Sequence, residues 1–230
     1  MRLLTNYRQN KLRLINLNNI LKNTWQTVAP IGIIAATYMT VGLPTDTASI
    51  MWWLVNLIGI VFVLSAAFKH QSTQILSSIF VIVFGVVCFS SGIYANAAVN
   101  LILLLPISVF GVLVWNGTLK WTTHLYTGFL VICNAFLFAF GFIVLTALDL
   151  GQHHVLDALS ASMIVIATFL LALKDKRCWY WWVILNTLEV VMWFMIASSN
   201  QDAVGLLILR VVFLVNSIFG FIEWNIKKKA

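Results

Sequence analysis

Residues 174–202 read KDKRCWYWWVILNTLEVVMWFMIASSNQD, a basic cluster followed by an almost wholly apolar and aromatic stretch that closes on Asp202. As a helix rising ~1.5 Å per residue, such a stretch crosses a hydrocarbon core of ~30 Å, with cations at one end and a carboxylate at the other. The same alternation runs through the chain. Apolar spans fall at 25–43, 50–68, 75–92, 97–115, 127–148, 155–173, 179–198 and 203–224. On the side of Lys174, Lys176 and Arg177 lie Arg2, Arg8, Lys11, Arg13, Lys22, Lys69, Lys120, Lys227, Lys228 and Lys229. The opposite loops hold Asp46, Asp149, Asp157 and Asp202, and of the 14 Lys and Arg only Arg210 falls elsewhere. The positive-inside rule then places both termini in the cytoplasm, with the chain in an inner membrane. Seven or nine spans would scramble the segregation. The expected fold is an all-α integral membrane protein of eight transmembrane helices.

Composition excludes the competing classes. With 61% hydrophobic and 9% charged residues and 3 prolines, the 230 residues cannot cover a soluble domain with polar surface. The net charge of +7 sits in loops and tails, where it sets topology and meets anionic lipid rather than nucleic acid. The first 22 residues are too long and polar for a signal peptide. Leu4, Leu14, Leu17 and Leu21 among cations read instead as a short interfacial helix. Cys88, Cys133 and Cys178 have no metal-ligand or disulfide spacing. No H-E-x-x-H, phosphate loop or nucleophilic triad is present, so an intramembrane enzyme has little support. His153 and His154 with Asp157 read as a solvated loop and not as a metal site. No cofactor is expected.

The chain contains its own duplication. Ser108-Val109-Phe110-Gly111 with Trp115 recurs as Ser217-Ile218-Phe219-Gly220 with Trp224, at an offset of 109 residues. Three spans separate the two copies, so both run in the same direction and the repeat is parallel. This divides the chain into a basic segment (1–24), an extra helix (25–49), a triplet (50–118), a linker helix (119–150), a second triplet (151–224) and a basic tail (225–230). Parallel repeats about an axis along the membrane normal are a transporter plan, with the cargo bound between the halves.

The sharpest constellation lies in the opening stretch. Trp179, Trp182, Asn186, Glu189 and Trp193 follow one another at intervals of 3, 4, 3 and 4. At ~100° per residue they share about a quarter of the helix circumference. Stacked indoles hold a flat ligand, and an amide with a carboxylate suits ribose hydroxyls or an amide edge. An interfacial aromatic belt is the competing reading for Trp179 and Trp182, and Trp181, which points elsewhere, reads as belt. A belt does not explain Asn186 or Glu189. A mid-span carboxylate is costly in lipid, and Arg210, at similar depth in the last span, is its expected ion-pair partner.

These residues resemble the PnuC family of bacterial transporters from about residue 50 onward. The resemblance rests on Leu156-Asp157-Ala158-Leu159-Ser160, Trp179-x-x-Trp182-x-x-x-Asn186 and Asn216-x-x-Phe219-Gly220-Phe221-Ile222-Glu223-Trp224. In the first half, Gly92-Ile93-Tyr94, Asn100 and Pro106 are similar to its pattern. It implies a three-plus-one-plus-three fold similar in plan to SWEET proteins, often a homotrimer. It also implies uptake of a nucleoside-like vitamin precursor, best known as nicotinamide riboside, by facilitated diffusion and trapping by a cytosolic kinase. Trp179, Trp182 and Asn186 would touch the substrate, with Glu189, Asn216, Asn100, Ser108 and Arg210 as further candidates. Typical nicotinamide riboside members differ at Leu103, Leu104, Ser108 and Thr168. Thiamine or (deoxy)ribonucleosides on the same scaffold, and proton-coupled uptake, are the alternatives. A purely structural membrane protein, binding no ligand, is the competitor from another class.

Overall fold

The computed structural model describes residues 2–90, 97–121, 125–149, 154–199 and 204–225. Gly92, Ile93, Tyr94, His153, Asp202 and the three lysines of the tail lie outside the described residues. Among the described residues there are eight helices: α1 (Arg2–Val41), α2 (Thr47–Ala67), α3 (Thr73–Ser90), α4 (Val99–Trp115), α5 (Thr127–Ala147), α6 (His154–Ala172), α7 (Cys178–Ser199) and α8 (Val204–Asn225). Their bounds follow the apolar spans closely, except at the N-terminus. There the expected short interfacial helix is not a separate element, because α1 runs unbroken for 40 residues. No Gly or Pro precedes Pro30, so nothing in the sequence stops the helix between its basic and apolar parts. By length and composition, α2, α3, α5, α6 and α8 could each cross a membrane, and α4 is a shorter apolar helix.

Local chemistry marks several boundaries. Asp46 caps α2, its carboxylate accepting the Ser49 N–H at 2.7 Å while Ser49 Oγ accepts the Asp46 N–H at 3.1 Å. α4 opens as a π-helical segment, Val99–Leu104, and becomes α-helical at Leu105. Pro106 has no N–H to donate to a preceding carbonyl, and the wider turn accommodates that missing bond. Lys69 and Lys174 end α2 and α6 in the left-handed region, with φ of 58° and 56°. Their shared conformation is the first structural sign that the two triplets match.

The helices of the two triplets close a ring: α2 packs on α3, α3 on α4, α4 on α6, α6 on α7, α7 on α8, and α8 back on α2. Outside the ring, α1 lies in the groove between α2 and α8, and α5 lies along α6. Trp25, Ala29 and Ile33, one turn apart, seat α1 against Ile60 and Val212. Trp25 also stacks on Phe219 with ring centroids 5.4 Å apart. Lys22 over Phe68, Lys69 at Glu223 and Lys174 at Trp115 put the basic loops at one end of the bundle. At this basic end Arg177 donates to the Leu125 carbonyl at 2.7 Å, tying the α6–α7 loop to the start of α5. Hydrogen bonds to Asp175 hold the Arg177 guanidinium above its ordinary pKa, against a smaller opposing effect of burial.

Candidate functional site

The stripe on α7 faces α8 through matched residues. Trp179 lies flat over Gly220, where a Cβ would overlap the indole, so only glycine lets the helices approach there. Asn186 Nδ2 donates to Ser217 Oγ at 2.6 Å, and Ser217 Oγ donates on to the Phe213 carbonyl at 2.9 Å. Further from the basic end, Arg210 and Glu189 form the expected ion pair, Nη1 to Oε2 at 2.7 Å. The Glu189 side chain is 12% exposed and that of Arg210 28%, so the pair is sheltered without being sealed. Trp182 and Trp193 are half-buried on the same face. The buried indole N–H groups of Trp179 and Trp193 have no protein acceptor.

Not all the candidate residues join this face. Asn216 is one position from Ser217 yet points to the other side of α8. Its Oδ1 accepts from Trp25 Nε1 at 3.3 Å and its Nδ2 donates to the Val63 carbonyl at 3.0 Å. Those two bonds commit the amide to holding α1, α2 and α8 together. Ser108 lies in the first triplet, buried, with its hydroxyl 2.8 Å from that of Ser77 on α3. Asn100 is buried in the π-helical turn of α4.

The duplicated tryptophans close the basic end. Trp115 on α4 donates its indole N–H to the Leu171 carbonyl on α6, and Trp224 on α8 donates to the Ala66 carbonyl on α2, both at 3.1 Å. Each bond therefore crosses from one triplet to the other. Lys174 and Lys69 repeat the crossing. Lys174 lies 5.1 Å over the Trp115 ring and donates to its carbonyl at 3.2 Å; Lys69 lies 5.2 Å over Trp224 and donates to the Glu223 carbonyl at 3.3 Å. The two indoles stand 6.3 Å apart and Trp179 packs 6.0 Å from Trp224. One buried cluster drawn from α2, α4, α6, α7 and α8, joined by Leu130 of α5, thus fills the ring at this end.

Three residues that the spacing of the α7 stripe did not reveal belong to this geometry. Ser217 and Ser77 are hydrogen-bond partners of Asn186 and Ser108. Gln74, 1% exposed, has no partner for either amide atom. The signal for Gln74 and Ser77 is structural. Aligning the left-handed lysines, Lys69 with Lys174, gives an offset of 105 residues that sets Gln74 against Trp179 and Ser77 against Trp182.

A family model described as nicotinamide mononucleotide transporter matches residues 49–226. The nicotinamide riboside transporter PnuC of Neisseria mucosa is 22% identical over 189 residues, which cover 75% of this chain and 72% of that protein. A crystal structure of the vitamin B3 transporter PnuC covers 93% of this chain and 93% of its own at 19% identity with a TM-score of 0.64, a likeness of fold.

Proposed function

This chain belongs to the nicotinamide mononucleotide transporter family, and from that premise we propose that it carries nicotinamide riboside, a nucleoside-like vitamin precursor, into the cell. The α7 face carries the reading: an indole pair for a flat ring, with Asn186 one to two turns beyond it for the sugar. The riboside and the mononucleotide differ by one phosphate. A phosphate needs a cation free to meet it, and Arg210, the one cation within the spans, is already paired with Glu189. The ion pair therefore favours the uncharged ribose over its phosphate.

Transport in this reading is facilitated diffusion. The basic end is cytoplasmic, both termini lie there, and the membrane is the bacterial inner membrane. Release into the cytoplasm requires the crossed Trp115 and Trp224 contacts to part. Net uptake then rests on a cytosolic kinase that converts the riboside to a form the site does not hold. A homotrimer, and anionic lipid at the basic loops, belong to the same proposal. The test is calorimetric titration of the purified full chain with nicotinamide riboside, nicotinamide mononucleotide, thiamine and thymidine. The riboside should bind at least about tenfold more tightly than the others, ~1.4 kcal/mol. Preference for thiamine or thymidine would replace the cargo assignment, and no binding at all would leave a structural membrane protein.

A further inference from the structure

Gln74 occupies the first turn of α3, at the α3–α4 contact, with Gly111 beneath its carboxamide, and Ala172 of α6 packs against the same glycine. A Cβ at Gly111 would overlap the carboxamide, as one at Gly220 would overlap Trp179. The two glycines belong to the duplicated S-x-F-G motif, so Gln74 and Trp179 hold equivalent places in the two triplets. Trp179 opens the W-x-x-W face. Its counterpart is an amide instead of an indole, and the polar character continues one turn on with Ser77 and its partner Ser108.

Both Nε2 and Oε1 of Gln74 are buried without a hydrogen-bond partner. Buried amides in proteins are almost always satisfied, and a residue as long but apolar would fill this place without the desolvation cost. A primary amide sets a donor beside an acceptor. Its complement is another group with acceptor beside donor, as in a carboxamide: Oε1 accepts from the ligand N–H while Nε2 donates to the ligand C=O. A carboxylate in the same place would leave Oε1 facing an anion. We propose that Gln74 is the first triplet's binding residue, pairing with the carboxamide of the cargo while the α7 indoles of the second triplet stack its ring. This rests on the cargo assignment above and adds which substituent is read and by which residue.

The test uses the full chain in detergent, titrated with nicotinamide riboside and with nicotinic acid riboside, which carries a carboxylate for the carboxamide. Wild type should favour the amide at least about tenfold. Gln74→Met, of equal length without hydrogen-bonding groups, should lose about tenfold for the amide, change little for the acid, and melt no lower than wild type without ligand. Gln74→Asn keeps the amide but withdraws it by one methylene, and should show the same loss should the methionine variant fold poorly. If either variant folds, keeps wild-type affinity and keeps the discrimination, Gln74 is only a core residue and the proposal falls. If the wild type itself binds neither riboside, the cargo assignment fails and takes this role with it. The two failures are separated by the wild-type titration.

Discussion

The side chains of the α7 face have two kinds of work, and substitution separates them. Trp179 is buried between Gly220 and Trp224, so Trp179→Ala should cost both stability and binding. Trp182, half-buried on the stripe, is the cleaner probe. Trp182→Ala removes a stacking surface of very roughly 1 to 3 kcal/mol by analogy with base stacking, hence about tenfold or more in affinity. Trp181→Ala is the control, and equal losses at the two positions in folded protein would return the pair to an aromatic belt. At Glu189 and Arg210 each single neutral replacement strands a partly buried charge, while the double replacement should recover part of the lost melting temperature. A double variant as unstable as the sum of the singles would contradict a coupled pair. The ion pair was legible in the sequence, because opposite charges at one depth in lipid have few other partners. The direction of Asn216 was not, since the motif records the residue and not which neighbouring helix it meets. Gln74 escaped for a different reason: a glutamine in the first turn of an apolar helix has no signature until its counterpart in the other triplet is known to be Trp179.

Between elements, the two crossed tryptophan contacts join the triplets at the basic end of the ring, and their role as a gate is testable. Replacing Trp115 and Trp224 by Phe removes two side-chain to carbonyl bonds of about 1 kcal/mol each and leaves the aromatic packing largely in place. The population open at the basic end should then rise roughly tenfold to thirtyfold. Cys178, fully buried at the start of α7 inside that plug, is a native reporter. With Cys88 and Cys133 replaced by Ser, labelling of Cys178 by a membrane-impermeant thiol reagent from the basic side should accelerate in the double variant. Unchanged labelling would mean the tryptophans brace the bundle without gating it. The sequence carried the repeat that supplies both tryptophans, but not their crossing, because the acceptors are backbone carbonyls of Leu171 and Ala66, which any residue would offer. The helix bounds followed from the alternation of apolar spans with charge. The π-helical opening of α4 and the unbroken length of α1 did not, since both depend on how a backbone continues where no residue forces it to stop.

For the molecule as a whole, the segregation of cations to one end predicts the orientation in the membrane. Reporter fusions after residues 46, 150 and 201 should lie outside, and those after 70, 120 and 176 in the cytoplasm. Reversal at two sites would overturn the eight-span topology. In the proposed reading, the ring of two triplets, filled at its basic end, is the frame for a carrier that moves cargo down its gradient. That claim is tested most directly in proteoliposomes loaded with labelled nicotinamide riboside outside and, in one half of the samples, a riboside kinase with ATP inside. Without kinase, the internal riboside should rise to the external concentration and stop there, indifferent to an imposed pH gradient; with kinase, label should continue to accumulate as phosphorylated product. Accumulation of unmodified riboside above the external level under a pH gradient, or flux of the mononucleotide in place of the riboside, would contradict the account.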